Sequence, residues 1–380
     1  MRIALVTHTF FPQSVGGREN HVYHLGKTLS KKGHKVEIFT SSDSLLKKYS
    51  KIENSNLIVH YFPTVKVPMP TGYYRINPTM FFALLKINVD LIHAHEYFHF
   101  TTFISALASK IKRIPFILTE HGYPEQVGVS RFLLELYHKI FLPQVISSSK
   151  KFIAVSNFIE EEVISKFNVS RKRVCVVYNG IDSDQYKERS TVFRDKYNLK
   201  NKKIVLSIGR LIKEKGFQYL IKALPLILKK LPNVKLVIIG PDHYYKKELV
   251  RISELLNVRD KVIFTGVISE DMLKSAIFCS DVVVIPSLYE PFGIVALEAM
   301  VYGKPIVSSR VGGLSEFLEN DETCLFCSPK NSEELARCVL NILLNKRLSR
   351  KLRKNAKEAV KKFDWKKIID RITDIYRDAH

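Results

Sequence analysis

Several scarcities bound what this 380-residue chain can be. Cysteine is scarce, with five residues unevenly scattered, which excludes the disulfide framework of a small secreted domain and points to a reducing compartment. No apolar run reaches the ~18 residues a spanning helix needs, so no transmembrane segment is expected. Low-complexity tracts are also lacking, and 46% hydrophobic with 11% aromatic residues excludes a disordered chain. Acidic residues are comparatively few: 37 Asp and Glu against 60 Lys and Arg give a formal charge of +23. The opening MRIALVTHTFF starts directly as a strand, without leader, apolar region or cleavage site, so no signal peptide is expected and the protein is read as cytoplasmic. The length exceeds one comfortable hydrophobic core and suggests two domains.

What is present is an alternation of short apolar runs with helical patterns. RIALVTHT, KVEIFTS, LIVHYFP, DLIHAH, PFILTEH and KFIAVS read as strands of a first half. KIVLSIG, KLVIIG, KVIFTG, DVVVIP and PIVSSR repeat the scheme in a second. The fold class is therefore α/β, with two doubly wound halves. HVYHLGKTLSKKGH is the first crossover helix, stopped at Gly33. The polar, turn-rich segment from Asn179 to Ser190 reads as a hinge, and Phe363 to Ala379 as an amphipathic helix.

Two strand–helix joints carry the chemistry. Asp281 to Pro286 is an interior parallel strand, and GIVALEAMVYG is a helix ended by Gly303. Glu290 stands before that helix, and Glu298 lies about one and a half turns inside it. The joint can thus offer two carboxylates for sugar hydroxyls beside free helix amides that suit a phosphate. In IVLSIGRLIKEKGFQYLIKAL, a second strand leads through Gly209, Arg210 and Lys215 to a helix opened by Gly216, placing two cations where a diphosphate would bind. Each joint alone also fits a plain βα turn with solvated charges.

Together, GRLIKEKG, FTGVISEDML, SLYEPFGIVALEAMVYGKPIVSSRVGGLSE, VVYNGID and the opening FFPQSVGGRENHVYHL resemble the retaining nucleotide-sugar glycosyltransferases of GT-B fold. This is the large family 4 type, glycosyl transferases group 1, which includes sucrose synthases, phosphatidylinositol mannosyltransferases and the N-acetylglucosaminyl subunit that starts GPI anchors. The motifs cover essentially the whole chain. The resemblance implies two Rossmann-like domains facing a cleft: residues 1–182 on the acceptor side, 183–362 for the nucleotide sugar, and 363–380 as a helix crossing back to the first domain. It also implies roles. Gly16 and Gly17 let the backbone approach donor phosphates and acceptor, and His121 in TEHG faces the donor sugar. Arg210 and Lys215 neutralise the diphosphate leaving group, while Glu290 holds sugar hydroxyls. The backbone of Phe292, Gly293 and Ile294 holds phosphate or sugar oxygens, Glu298 takes the ribose hydroxyls, and backbone groups at Val267 and Ile268 meet the base. Arg210, Lys215 and helix dipoles can carry the leaving-group charge, so no metal or other cofactor is expected.

Other features compete with that reading. Asp182-Ser183-Asp184 spells the DxD that holds a metal and diphosphate in another glycosyltransferase fold, but here it falls in the hinge. Cys324 and Cys327 form a lone CxxC without a second pair, and Cys324 stands where the family usually has glycine. The basic charge raises a nucleic-acid-binding alternative, although no such module is readable and no nucleic acid is expected as partner. The densest basic run, Lys346 to Lys367, reads mostly as a solvated helical face. Tyr73 to Ile87 and Arg131 to Leu142, with Phe132 and Phe141, are aromatic and basic; core packing or peripheral docking on an anionic membrane both account for them. A GT-B sugar-nucleotide epimerase would share the fold, but the full Arg/Lys and paired-Glu set argues against it. The expected activity is retaining transfer of a hexose or N-acetylhexosamine from a nucleoside-diphosphate sugar, UDP favoured and GDP next, to a hydroxyl acceptor that is a sugar or a lipid-linked molecule.

Overall fold

Runs of β-branched and aliphatic residues form strands that are buried on both faces, as parallel strands covered by helices must be. In the computed structural model, which describes residues 1–12, 14, 16–45, 48–69, 72–122, 135 and 139–380, these strands fall into two separate parallel sheets. The chain divides into two compact units: Met1–Gly180 with Trp365–His380, and Ile181–Asp364.

Unit 1 contains β1 (Arg2–Val6), β2 (Lys35–Ser41), β3 (Tyr49–Asn54), β4 (Leu57–Phe62), β5 (Val65–Met69), β6 (Gly72–Ile76), β7 (Leu91–His95), β8 (Phe116–Glu120), β9 (Ser149–Ala154) and β10 (Val174–Val176). Eight of these form one sheet in the order β10-β9-β8-β7-β1-β2-β4-β3, parallel except for the antiparallel β3–β4 edge. The β5–β6 pair is a separate hairpin. β1 lies between β2 and β7, so the winding direction reverses there. The helix Trp365–Asp378 belongs to this unit. Trp365, Ile369, Ile372 and Tyr376 share a core with Ile3, Leu5, Val22 and Leu25, and each such burial is worth about 1.5–3 kcal/mol.

Unit 2 contains β11 (Lys203–Ile208), β12 (Val234–Ile239), β13 (Val262–Gly266), β14 (Val282–Ile285), β15 (Ile306–Ser309) and β16 (Leu325–Cys327). Their order is β13-β12-β11-β14-β15-β16, all parallel, the arrangement of a dinucleotide-binding Rossmann sheet. Its reversal lies between β11 and β14, the two strands that end in the chemistry-bearing joints. The hinge segment carries a short turn of helix, Ser183–Tyr186.

The two aromatic, basic stretches take different places. Tyr73 to Ile87 forms β6 and the helix Pro78–Lys86, with Tyr73 and Phe82 exposed. Most of Arg131 to Leu142, including Phe132, lies outside the described residues, whereas Phe141 packs edge-on against Phe103 at 4.6 Å between centroids. No helix of the described residues is long and apolar enough to cross a membrane.

Candidate functional site

In unit 2 the loops after β11 and β14 are drawn together by backbone. The Leu288 amide donates to the Glu214 carbonyl at 2.7 Å. Gly216 has φ +70°, and a Cβ there would lie 1.8 Å from the Pro286 carbonyl oxygen, so only glycine allows this approach. The result is direct contact between charged groups from both joints: Lys215 Nζ donates to Glu290 Oε2 at 2.7 Å, and the Ser287 hydroxyl donates to the same oxygen at 3.1 Å. Glu290 is buried. Gly293, at φ +101°, opens the helix Ile294–Val301 without a side-chain cap, which leaves first-turn amides for a ligand. The ring of Phe292 stacks on Phe317 at 5.0 Å, so this residue offers only its backbone.

Glu298, 5% exposed, points to a different neighbour: the Tyr186 hydroxyl donates to its Oε1 at 3.1 Å. Burial raises the Glu298 carboxyl from its ordinary value to about 7, against the opposing effect of that hydrogen bond. Arg210 is exposed, and its side chain makes no hydrogen bond or ion pair among the described residues. Val267 is exposed and Ile268 half-buried, in the loop directly after β13. The sequence-predicted residues of this unit thus lie on loops and a helix beyond the C-terminal ends of β11, β13 and β14, with Lys215 and Glu290 in contact.

In unit 1, Gly16 is the extended residue before the helix Gly17–Lys31, and a Cβ on it would come 2.9 Å from Glu19 Oε2. His121 follows β8, half-buried, with its Nε2 3.0 Å from His95 Nδ1. Burial, then His21, lowers the His121 pKa well below the ordinary range. Beside it is a network that the sequence did not reveal. Arg18 bonds Glu19 at 2.7 Å and also Glu96, and His99 Nε2 lies 2.8 Å from Glu96 Oε2. Burial opposes charge on Glu96, but Arg18 and His99 outweigh it and hold the carboxyl well below its usual range. Glu120, wholly buried, is raised well above it by burial and by Glu96. The alternating histidines of DLIHAHE were the one signal that could have exposed this cluster.

Two groups among the described residues have the spacing to hold a metal, His21/His95/His121 and His8/Glu96/His99, with ligand atoms within 4.8 Å of one another in each. The half-buried Arg18 guanidinium beside Glu96 opposes a cation in the second. Asp182 instead accepts from the Asp184 amide at 3.3 Å and from Gln185 Nε2 at 3.0 Å, a turn cap. Cys324 and Cys327 are buried free thiols, and burial pushes Cys327 up to about 12.

Residues 189–359 match the family model of glycosyl transferases group 1, and residues 15–185 that of glycosyltransferase family 4. An uncharacterized glycosyltransferase of Methanocaldococcus jannaschii is 33% identical, over 100% of this chain and 98% of that protein. One subunit of the phosphatidylinositol N-acetylglucosaminyltransferase of Arabidopsis thaliana is 26% identical, over 86% of this chain and 71% of its own length. Among solved structures, Anabaena HepE in complex with UDP and glucose superposes with a TM-score of 0.80 at 24% identity, covering 100% of both chains. The fold is GT-B, and the chain belongs to the group 1, family 4 glycosyltransferases, a family of transferase enzymes.

Proposed function

We propose that this glycosyltransferase is retaining and moves a hexose or N-acetylhexosamine from a UDP-sugar to a hydroxyl acceptor, with GDP-sugars as the next donor class. The observation that carries this reading is the Lys215–Glu290 contact beside the uncapped helix start at Gly293, at the winding reversal of unit 2's sheet. A cation, helix amides and a carboxylate converge there, as a sugar diphosphate requires. Arg210 and Lys215 neutralise the departing diphosphate, Glu290 accepts from sugar hydroxyls, and Glu298 accepts from the ribose. The backbone at Val267 and Ile268 meets the base, and that of Phe292 to Ile294 meets phosphate or sugar oxygens. In unit 1, His121 is assigned to the donor sugar, and the Gly16–Gly17 backbone to donor phosphates and acceptor. The UDP preference draws on the HepE complex and the N-acetylglucosaminyltransferase relative.

In this reading the anomeric C–O bond to the diphosphate breaks as the acceptor oxygen bonds to the same face. The acceptor proton passes to the departing diphosphate oxygen. Lys215, Arg210 and helix amides supply the positive charge, so the transfer runs without a divalent metal.

A screen against UDP-, GDP- and ADP-sugars, read by thermal shift and donor hydrolysis, tests the donor class. Saturating UDP at about 100 times its dissociation constant is expected to stabilise the protein by ~2.7 kcal/mol, and EDTA to leave turnover intact. Loss of activity with EDTA, restored by metal, would sink the metal-free mechanism and direct attention to His21, His95 and His121. An α-linked product from an α-configured donor, read from the anomeric NMR coupling, supports retention; a β-linkage ends it. Steeply salt-dependent duplex binding with no response to any nucleotide sugar would favour the nucleic-acid alternative.

A further inference from the structure

The N-terminal edge of unit 2's sheet, at the end away from Lys215 and Glu290, holds a cavity of about 470 Å³. Its walls come from the starts of β11, β14 and β15 and from the helix Lys346–Ala359. Six lining residues are cationic (Arg194, Lys203, Lys304, Lys346, Arg350 and Arg353), and one, Asp281, is acidic.

Asp281 is fully engaged. Its Oδ1 accepts from Lys203 at 2.8 Å, and its Oδ2 from the Ile204 amide at 2.9 Å and from Arg194 at 3.4 Å. Arg194 is also committed to the Leu199, Lys202 and Cys279 carbonyls. The other four cations have no carboxylate partner among the described residues. Lys346, Arg350 and Arg353 are spaced i, i+4, i+7, which puts them on one helix face. Lys304 is 9% exposed, with its ammonium 3.0 Å from the Ser280 carbonyl and 5.2 Å from the centre of the Phe278 ring. Burial, and then the nearby Arg353, pulls its pKa down to about 8. A desolvated lysine beside arginines that have no carboxylate partner is a setting that an anion relieves. Phe278, Pro305 and Ile342 add an apolar surface to the same cavity.

We propose that this cavity is a second ligand site, for a phosphomonoester whose phosphate is held by Lys304, Lys346, Arg350 and Arg353 and whose carbon skeleton rests against Phe278. Arg groups hold such oxygens in forked pairs. The site bears on the donor helix as well. Arg353 Nε donates at 2.9 Å to the carbonyl of Gly303, just beyond the C-terminal end of Ile294–Val301, the helix that carries Glu298.

Soluble and lipid phosphomonoesters share this chemistry, and paired probes separate them. The protein is held in excess UDP so that the nucleotide site is filled, then titrated calorimetrically with glycerol 3-phosphate. In parallel it is sedimented with phosphatidylcholine vesicles containing phosphatidic acid, or phosphatidylglycerol at matched surface charge. The comparison protein is K346A/R350A, whose changes are on exposed positions and whose folding is checked by its melting temperature and UDP affinity. The expected result is one equivalent of glycerol 3-phosphate, bound at least about tenfold more weakly by the double variant. Binding confined to phosphatidic acid vesicles and lost in the variant assigns the same site to a lipid headgroup. Absence of binding to both probes, or equal binding of glycerol 3-phosphate and of phosphatidic acid vesicles by variant and parent, overturns the proposal; equal sedimentation with phosphatidylglycerol overturns the lipid headgroup as its source.

Discussion

Tyr186 donates its hydroxyl to Glu298 across 3.1 Å, tying the segment that enters unit 2 to the helix Ile294–Val301 that follows β14. Because burial raises Glu298 to about 7 from 4.5, the folded state retains a proton that the unfolded chain releases. The resulting destabilisation begins as pH rises above the unfolded value and is complete above the folded one, amounting to at most about 3 kcal/mol. E298Q should therefore melt higher than the parent at pH 8 and the same at pH 4. With ribose hydroxyls bound by the ionised form, donor affinity of the parent should rise between pH 6 and 8. The variant should lose both affinity and pH slope in calorimetric titrations; an unchanged slope would refute the ribose assignment.

Arg210 and Lys215 differ in what their removal exposes. R210A takes away an exposed cation, so its melting temperature should match the parent's. K215A also strips Glu290 of its ion-pair partner and should melt lower. Both should lose about 10²–10³ in kcat, ~2–4 kcal/mol of transition-state stabilisation, with a smaller rise in the donor KM. Near-parental kcat in both variants would remove these residues from the leaving-group role.

Gly216 and Gly33 separate backbone strain from close approach. Both have positive φ, but a Cβ at Gly33 meets nothing within 4 Å, whereas at Gly216 it would strike the Pro286 carbonyl. G33A should cost about 1 kcal/mol and G216A on the order of 3 kcal/mol or more, measured from denaturant midpoints. Equal losses would show that the contact between the two loops is dispensable.

If the acceptor is lipid-linked, the exposed apolar side chains of unit 1 are the place to look. Tyr73, Phe82 and Ile111 are 59%, 61% and 57% exposed, on β6 and on the adjoining helices Pro78–Lys86 and Phe100–Lys112. F82S should fold normally, spare donor hydrolysis, and sediment less with anionic vesicles at low salt than the parent does. Parental sedimentation by F82S, or none by the parent, would speak against this docking face.

The strands of both sheets were legible because each buried run is apolar and bounded by turn residues. β3 was not, since an exposed antiparallel edge can be polar, and β10 and β16, three residues each, are too short to show a period. The charged joints of unit 2 were legible because glycine, cation and carboxylate occur at fixed offsets from a strand end. The Arg18–Glu96 pair was hidden: its partners are 78 residues apart, and only folding brings them together. Tyr186 was hidden for the same reason, its carboxyl partner being 112 residues away. The basic run from Lys346 read as mostly a solvated face, and its cations are exposed; what the sequence did not show is that Lys346, Arg350 and Arg353 also line a cavity.

The placement of Trp365–Asp378 in unit 1 also sets an order of events during synthesis. A ribosome completes every residue of unit 2 before it makes the helix that covers Ile3, Leu5 and Leu25. The sheet of unit 1 is thus made before that of unit 2 but sealed after it, and nascent chains carry its uncovered apolar flank until Trp365–Asp378 emerges. Chains stopped before Trp365 keep that flank permanently open, which makes them natural substrates for chaperone capture and proteolysis.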